Sequence, residues 1–130
     1  MLKTFRWALI WALCILVLCL LPGRALPKWD WFALFDLDKV VHLGMFGALT
    51  VLLADAMRKR DAYARYILRA AVLSIAYGVA TELLQGMELL GRRTDPGDMV
   101  ANTVGAVLGG LYVRLRERSG KPIVPIAFLR

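Results

Sequence analysis

The side chains that could do chemistry are concentrated in three short stretches of an otherwise apolar chain. They combine carboxylate, imidazole, ammonium, guanidinium and amide groups. Such groups can hold a polar headgroup, and a well-placed carboxylate or imidazole can also act as a general acid or base. The candidate binding residues are Asp38, Lys39, His42, Glu82, Gln85, Arg92, Asp98 and Asn102. Among them, Glu82 and His42 are the candidates for catalysis.

Helical spacing places members of these stretches on common faces. Asp38 and His42 are four residues apart, so one face of a helix carries both. Glu82 and Gln85 share a face in the same way, with a spacing of three. A single histidine and the lack of a cluster with metal-ligand spacing argue against a metal, so we predict neither a metal nor a cofactor. If a metal were bound, His42 with Glu82 or Asp98 would be the set to hold it.

The elements that position these residues are four apolar segments. The chain has 130 residues, of which 59% are hydrophobic, whereas a soluble domain has about 45–50%. The segments are Trp7–Leu21, Val40–Ala54, Ala70–Leu90 and Met99–Val113. Each strictly apolar core is short for a bilayer, which needs ~20 residues, so flanking basic side chains must reach the headgroups. The sequence predicts an all-α, polytopic membrane protein with four transmembrane helices.

The distribution of Lys and Arg predicts the orientation. With both termini in the cytoplasm, twelve of the 17 Lys and Arg residues lie on the cytoplasmic side. Basic residues favour that side of a bacterial membrane, so we predict cytoplasmic termini and a multi-pass location in the bacterial inner membrane. The net charge of +7 then reflects topology. No basic stripe stands apart from the membrane flanks, so we predict no nucleic-acid partner.

The chain divides into four regions. Residues 1–23 form the first transmembrane helix, although a basic start followed by an apolar run also fits a signal peptide or an uncleaved signal anchor. Residues 24–37 contain four aromatic side chains among acidic residues, a composition typical of a segment in the outer headgroup zone. Residues 38–113 contain the other three helices, and residues 114–130 form a basic cytoplasmic tail.

This orientation brings three polar helix faces to the outer leaflet. Glu82 lies nine residues before Gly91 and therefore ~13 Å below the predicted outer helix end. An ionisable group at membrane depth is costly, so it faces protein or water. Two interpretations remain open, a ligand site and a structural clasp in which Glu82, Gln85 and Asn102 hydrogen-bond between helices. Asp98 has a second interpretation as the N-cap of the fourth helix.

Small residues at four-residue spacing indicate where helices approach closely. Gly44 and Ala48 form one such pair, and Ala101, Gly105 and Gly109 form a longer series. These patterns favour packing within one chain over the seam of a homo-oligomer, which stays an alternative.

The ordered set of polar residues resembles the VanZ-like family of bacterial membrane proteins. The fragments are Asp38-Lys39-x-x-His42, Glu82-x-x-Gln85, Arg92 six residues before Asp98, and Asp98-x-x-x-Asn102-x-x-Gly105. The resemblance extends from about Asp38 to Gly110. It implies an integral membrane protein, and the founding member is associated with resistance to the glycopeptide teicoplanin. The family pattern often has a serine where this chain has Asp95.

Three functions are compatible with these features. The preferred hypothesis is binding of a cell-envelope component at the outer leaflet, such as membrane lipid or a phosphate-bearing, lipid-linked precursor, with Lys39 and Arg92 as anion contacts. The resemblance would link this to glycopeptide resistance or envelope homeostasis. The first alternative is an enzyme acting on a lipid headgroup, with Glu82 or His42 as the acid–base group. The second is a helper without catalytic activity that packs against another membrane protein.

Overall fold

Four α-helices make up the regular structure of the protein. The computed structural model describes residues 2–21, 37–62, 64–87 and 93–126. Helix α1 spans Leu2–Leu20, α2 spans Leu37–Met57, α3 spans Arg65–Gln85 and α4 spans Pro96–Arg118. No strand occurs within these described ranges, so the all-α prediction is confirmed for them. The predicted outer aromatic segment, residues 24–37, lies almost wholly outside the described residues.

The helices run in alternating directions. Tyr77 of α3 donates its hydroxyl proton to the carbonyl of Ala12 in α1 at 2.6 Å, and Gln85 donates to Cys19 at 3.0 Å, so α1 and α3 are parallel. Helices α2 and α4 are parallel to each other, since contacts join them near both their N-terminal and their C-terminal ends. The N-terminal ends of α2 and α4 therefore lie beside the C-terminal ends of α1 and α3.

Glycines let α2 and α4 approach until their backbones touch. A Cβ atom on Gly105 would collide with the carbonyl oxygen of Leu43. A Cβ on Gly47 would lie 3.1 Å from the Gly105 carbonyl oxygen. The close approach predicted for the small-residue series of α4 thus occurs within one chain. Its partner glycine is Gly47, because a Cβ on Gly44 would meet nothing within 4 Å.

Many apolar side chains of these helices are exposed, whereas several polar side chains are buried. Leu13, Leu68, Val100 and Leu115 are each at least 60% exposed. In contrast, Glu82 is completely buried. Three helices, α1 to α3, are long and apolar enough to cross a membrane. The fourth, although 23 residues long, does not reach that apolarity as a whole.

Helix α3 ends earlier than the sequence predicts. The expected apolar segment ran to Leu90, but the helix ends at Gln85, where the Gly86 N–H donates to the Glu82 carbonyl at 3.1 Å. Met87 then bonds to the Leu84 carbonyl, closing a turn. Glu82 consequently lies in the last helical turn, three residues before the helix end. Its distance from that end along the helix axis is therefore ~4.5 Å, and the expected ~13 Å was wrong.

The chain after α4 folds back onto the helices. A Schellman motif closes α4, with bonds from Gly120 to Glu117 and from Lys121 to Arg116, and Gly120 has the positive φ of 62° that this motif requires. Ile123 is then completely buried in an apolar cluster. This cluster contains Ala54, Tyr66, Ala70, Val113, Ile123 and Val124.

Candidate functional site

The segment before α4 provides the frame of the polar site. Asp95 is the N-cap of α4, and its Oδ1 accepts the backbone N–H of Gly97 at 2.7 Å. Pro96 occupies the first helical position, where its missing N–H costs nothing. The cap is therefore Asp95, and the alternative cap Asp98 instead lies in the first turn with its carboxylate buried. The bond from Gly97 and the nearby Lys39 ammonium lower the pKa of Asp95.

This segment is held against the end of α3. The backbone N–H of Asp95 donates to Glu82 Oε2 at 3.2 Å, and the Thr94 hydroxyl donates to the Glu82 carbonyl at 3.3 Å. Gly86 allows the approach, because a Cβ there would overlap the Thr94 hydroxyl. Glu82 therefore links the end of α3 to the start of α4 through its side chain and its carbonyl group.

Three buried side chains from three helices meet beneath this frame, and we call them the buried triad. They are His42 of α2, Glu82 of α3 and Asp98 of α4. One ring nitrogen of His42 and one carboxylate oxygen from each of the other two lie within 4.8 Å of one another. His42 Nε2 is 3.8 Å from Asp98 Oδ2. The convergence predicted from helical period and topology thus appears as direct proximity.

Asn102 orients the imidazole of the triad. Its Oδ1 lies 3.0 Å from His42 Nδ1, and both side chains are buried. An amide oxygen can only accept a hydrogen bond, so Nδ1 carries the proton in this contact. In the neutral ring, Nε2 then presents its lone pair toward Asp98.

Acceptor atoms in the triad outnumber the donors around them. Within the described part of the chain, Glu82 Oε1 and Asp98 Oδ1 are buried and have no hydrogen-bond partner. A buried acceptor left without a donor costs roughly 1–3 kcal/mol, and more when it is charged. Protonation of a carboxyl group or a bound cation would satisfy these two oxygens.

An exposed layer of charged side chains covers the triad. It consists of Asp38, Lys39 and Asp95, whose side chains are 49%, 35% and 46% exposed. Lys39 Nζ lies 3.9 Å from Asp38, 3.5 Å from Asp95 and 4.0 Å from Asp98. One lysine is thus surrounded by three carboxylates, and the described site carries an excess of negative charge.

Two predicted site residues do not join the others. Gln85 turns its amide toward α1 and donates to the Cys19 carbonyl, so it clasps two helices and does not line the triad. Arg92 lies outside the described residues. The sequence interpretation also missed Asp95 as a member of the site, although an Asp-Pro pair at the start of a helix is a recognisable N-terminal signal.

A protein-family model described as VanZ/LLP1 matches residues 3–117. The match covers most of the chain, including all three helices that contribute to the buried triad. No curated protein and no solved structure shows significant similarity to the chain.

Proposed function

Because this chain belongs to the VanZ/LLP1 family, we propose that it is a four-span protein of the bacterial inner membrane that binds a polar headgroup at the outer leaflet. The observation that carries the proposal is the exposed layer of Asp38, Lys39 and Asp95, which combines both signs of charge at one end of otherwise apolar helices. Charges gathered in this way at a membrane edge are suited to a ligand that is itself amphiphilic.

Helix α4 completes the fourth crossing in this proposal. Among the residues that lower its mean hydropathy, Asp98, Asn102 and Gly105 are buried. The others include three arginines at its C-terminal end, Arg114, Arg116 and Arg118. Its opposite face is exposed and apolar, with Val104, Val107, Leu108, Leu111 and Leu115. A length of 23 residues corresponds to ~35 Å, enough for the hydrocarbon core of a bilayer. Lipid would contact only the apolar face.

In the proposed orientation, the exposed layer lies outside the cell. It rests on the excess of Lys and Arg at the other end of the helices and beyond α4. We expect a cysteine in the Arg93→Cys variant to react with an impermeant thiol reagent added to intact cells. The matched Arg60→Cys variant should react only after the cells are opened. Both variants require that the native Cys14 and Cys19 be replaced by alanine, and the reverse labelling pattern would overturn the orientation.

The charges of the exposed layer favour a headgroup that carries an amine as well as a phosphate. A simple phosphate would meet Lys39 among three carboxylates, which compete for the same ammonium. A zwitterionic headgroup would place its amine beside Asp38 and Asp95 and free Lys39 for its phosphate. The layer is about one-third to one-half exposed, so such a group could reach it without opening the helices.

Native mass spectrometry of the purified protein in nanodiscs tests this binding. We expect phosphatidylethanolamine to be retained over phosphatidylglycerol. Lys39→Met and Asp38→Asn should each lose that preference while the protein stays folded. Lys121→Met is the matched control, because it removes an exposed lysine at the opposite end. Variants of Lys39 and Asp38 that retain the lipid as well as the wild type would overturn the proposal, and so would a wild type with no preference.

The same spectra separate the proposal from its two rivals. A second membrane protein that stays bound in place of lipid would overturn headgroup binding and favour the helper. A chemically altered headgroup that appears with the wild type and disappears with Glu82→Gln would replace simple binding by catalysis.

A further inference from the structure

The buried triad has the composition of a divalent metal site. It offers one imidazole nitrogen and two carboxylate oxygens, with the three donor atoms within 4.8 Å of one another. Bonds of ~2.1 Å around one ion place its ligand atoms ~3.4 Å apart. The three ligand atoms must therefore come closer to one another by up to ~1.4 Å when an ion binds. Three protein ligands also leave a coordination position open for water or for a ligand, as in many zinc sites.

Burial and pairing point to a cation more strongly than the acidic composition does. Glu82 is 0% exposed, and its Oε1 has no hydrogen-bond partner among the described residues. Asp98 Oδ1 is likewise buried without a hydrogen-bond donor, with Lys39 Nζ at 4.0 Å. Two carboxylates and an imidazole that face one another present only acceptors when deprotonated. A divalent cation satisfies all three at once and offsets the charge excess.

Asn102 supplies the interaction that a metal-binding histidine normally needs. Metal ligation by one ring nitrogen is usually accompanied by a hydrogen bond from the other nitrogen to an oxygen acceptor. His42 Nδ1 makes such a contact with Asn102 Oδ1 at 3.0 Å. The contact leaves Nε2 facing Asp98, 3.8 Å from its Oδ2. With Asn102 Oδ1 as the acceptor, the imidazole has the orientation that coordination through Nε2 requires.

We propose that His42, Glu82 and Asp98 bind a divalent transition-metal cation of the Zn²⁺ or Mn²⁺ type. A mixed nitrogen and oxygen set selects such ions over Mg²⁺ and Ca²⁺, which prefer oxygen ligands alone. The ion lies beneath the exposed layer and does not require that a headgroup be bound. It turns a helix junction with excess negative charge into a Lewis-acidic centre at the membrane surface.

Metal titration of the full chain, purified in detergent without a histidine tag, tests the site. We expect one Zn²⁺ per chain by calorimetry and elemental analysis, with much weaker binding of Mg²⁺. Glu82→Gln and His42→Gln should weaken Zn²⁺ binding at least 100-fold. Asn102→Leu should weaken it about 10–100-fold through the imidazole. Glu117→Gln is the control, and it should bind as the wild type does.

The chain contains a single histidine, which makes a spectroscopic test unambiguous. Electron spin-echo spectra of the wild type with bound Mn²⁺ should show coupling to one imidazole nitrogen, which can only come from His42. This measurement keeps the proposal testable even if a substituted protein fails to fold. An ion without nitrogen coupling, or one lost with Asp38→Asn and retained with Glu82→Gln, would assign binding to the exposed carboxylates and overturn the proposal. Absence of stoichiometric binding would also overturn it and leave a proton-sharing clasp.

Because no lipid is added in the metal titration, absence of metal binding would not bear on the proposal that the exposed layer binds a headgroup.

Discussion

The charged side chains at the two ends of the helices differ in how they are paired and how far they are exposed. At the basic end, Arg58 pairs with Glu117 at 3.3 Å and Arg69 pairs with Asp61 at 2.6 Å, one cation to one carboxylate. These arginine side chains are 46% and 58% exposed. At the polar site, three carboxylates surround Lys39, and a fourth, that of Glu82, lies beneath them without any contact with solvent.

This difference in pairing and exposure distinguishes charges that determine solubility and topology from charges that form a binding site. Exposed, matched ion pairs contribute little to stability, typically ~0.2–1 kcal/mol each. Buried carboxylates without matching donors cost free energy that the rest of the fold must offset. A structure that needed only to hold its helices together would gain nothing from the second arrangement. The excess of buried acceptors is therefore the feature that most favours binding of a cation.

The largest effect is expected where α2 and α4 touch, because this contact brings His42 beside Asp98. Gly105→Ala should force the two backbones apart at Leu43 and lower the free energy of unfolding by about 1–3 kcal/mol. Gly44→Ala is the matched control, since its Cβ meets nothing within 4 Å. Thermal unfolding in detergent measures both. Equal stability of the two variants would contradict the close backbone packing.

Charge removal at the two ends should have different consequences. In metal-free buffer, Glu82→Gln should raise the free energy of unfolding by about 1–2 kcal/mol, because an amide is buried at lower cost than a carboxylate. Glu117→Gln should change it by less than about 0.5 kcal/mol, because its partner Arg58 remains solvated. Denaturation in the presence of a chelator provides the comparison. A loss of stability with Glu82→Gln would show that the buried charge is already compensated within the protein.

The N-cap of α4 should contribute less than the glycine contact. Asp95→Ala removes the bond to Gly97 and should cost about 1 kcal/mol. Asp95→Ser should retain most of this stability, because a serine hydroxyl caps as well as a carboxylate. Thermal unfolding at neutral pH measures both variants. A similar loss with serine would mean that Asp95 acts through its charge and not through the cap.

Acid titration of the same pair separates cap from charge. The pKa of Asp95 is lowered in the folded state, so its contribution is present above the unfolded value of about 3.9 and is lost as the pH falls through the folded value. The wild type should therefore lose more stability than Asp95→Ser between neutral pH and pH values below about 4. Parallel loss in both proteins would contradict this assignment.

The smallest effect is expected for the exposed ion pair of the basic end. Arg69→Gln removes the partner of Asp61 and should change the free energy of unfolding by no more than about 0.5 kcal/mol, and less at high salt. Chemical denaturation at two ionic strengths checks the value. A larger, salt-independent loss would show that this end also depends on specific charges.

Helical period and charge asymmetry predict which residues meet at the centre of the site, but not the contacts around it. They bring His42, Glu82 and Asp98 together because each faces inward on its own helix and the connections fix which ends meet. They do not predict the bond from Gln85 to Cys19. Residue spacing shows which face of α3 carries Gln85, but it does not show where α1 packs against α3. The end of α3 was misplaced because Met87 to Leu90 continues an apolar pattern, whereas the Gly86 turn decides where the helix ends.

The serine-to-aspartate difference at position 95 illustrates the same limit. The resemblance sets Asp95 against a serine of the family pattern, but the sequence alone does not show the bond to Gly97 through which this aspartate caps α4. Both residue types cap a helix equally well. Only the aspartate adds a carboxylate beside Lys39, so the change preserves the start of α4 and alters the charge of the exposed layer.

The burial of Ile123 makes the two ends of the helices depend on different parts of the chain. All the residues of the polar site precede Thr103. The apolar cluster around Ala54, Tyr66 and Val113 has an open face until Ile123 packs against it. The opposite end of the helices is therefore complete only once the chain has turned at Gly120 and returned to the helices.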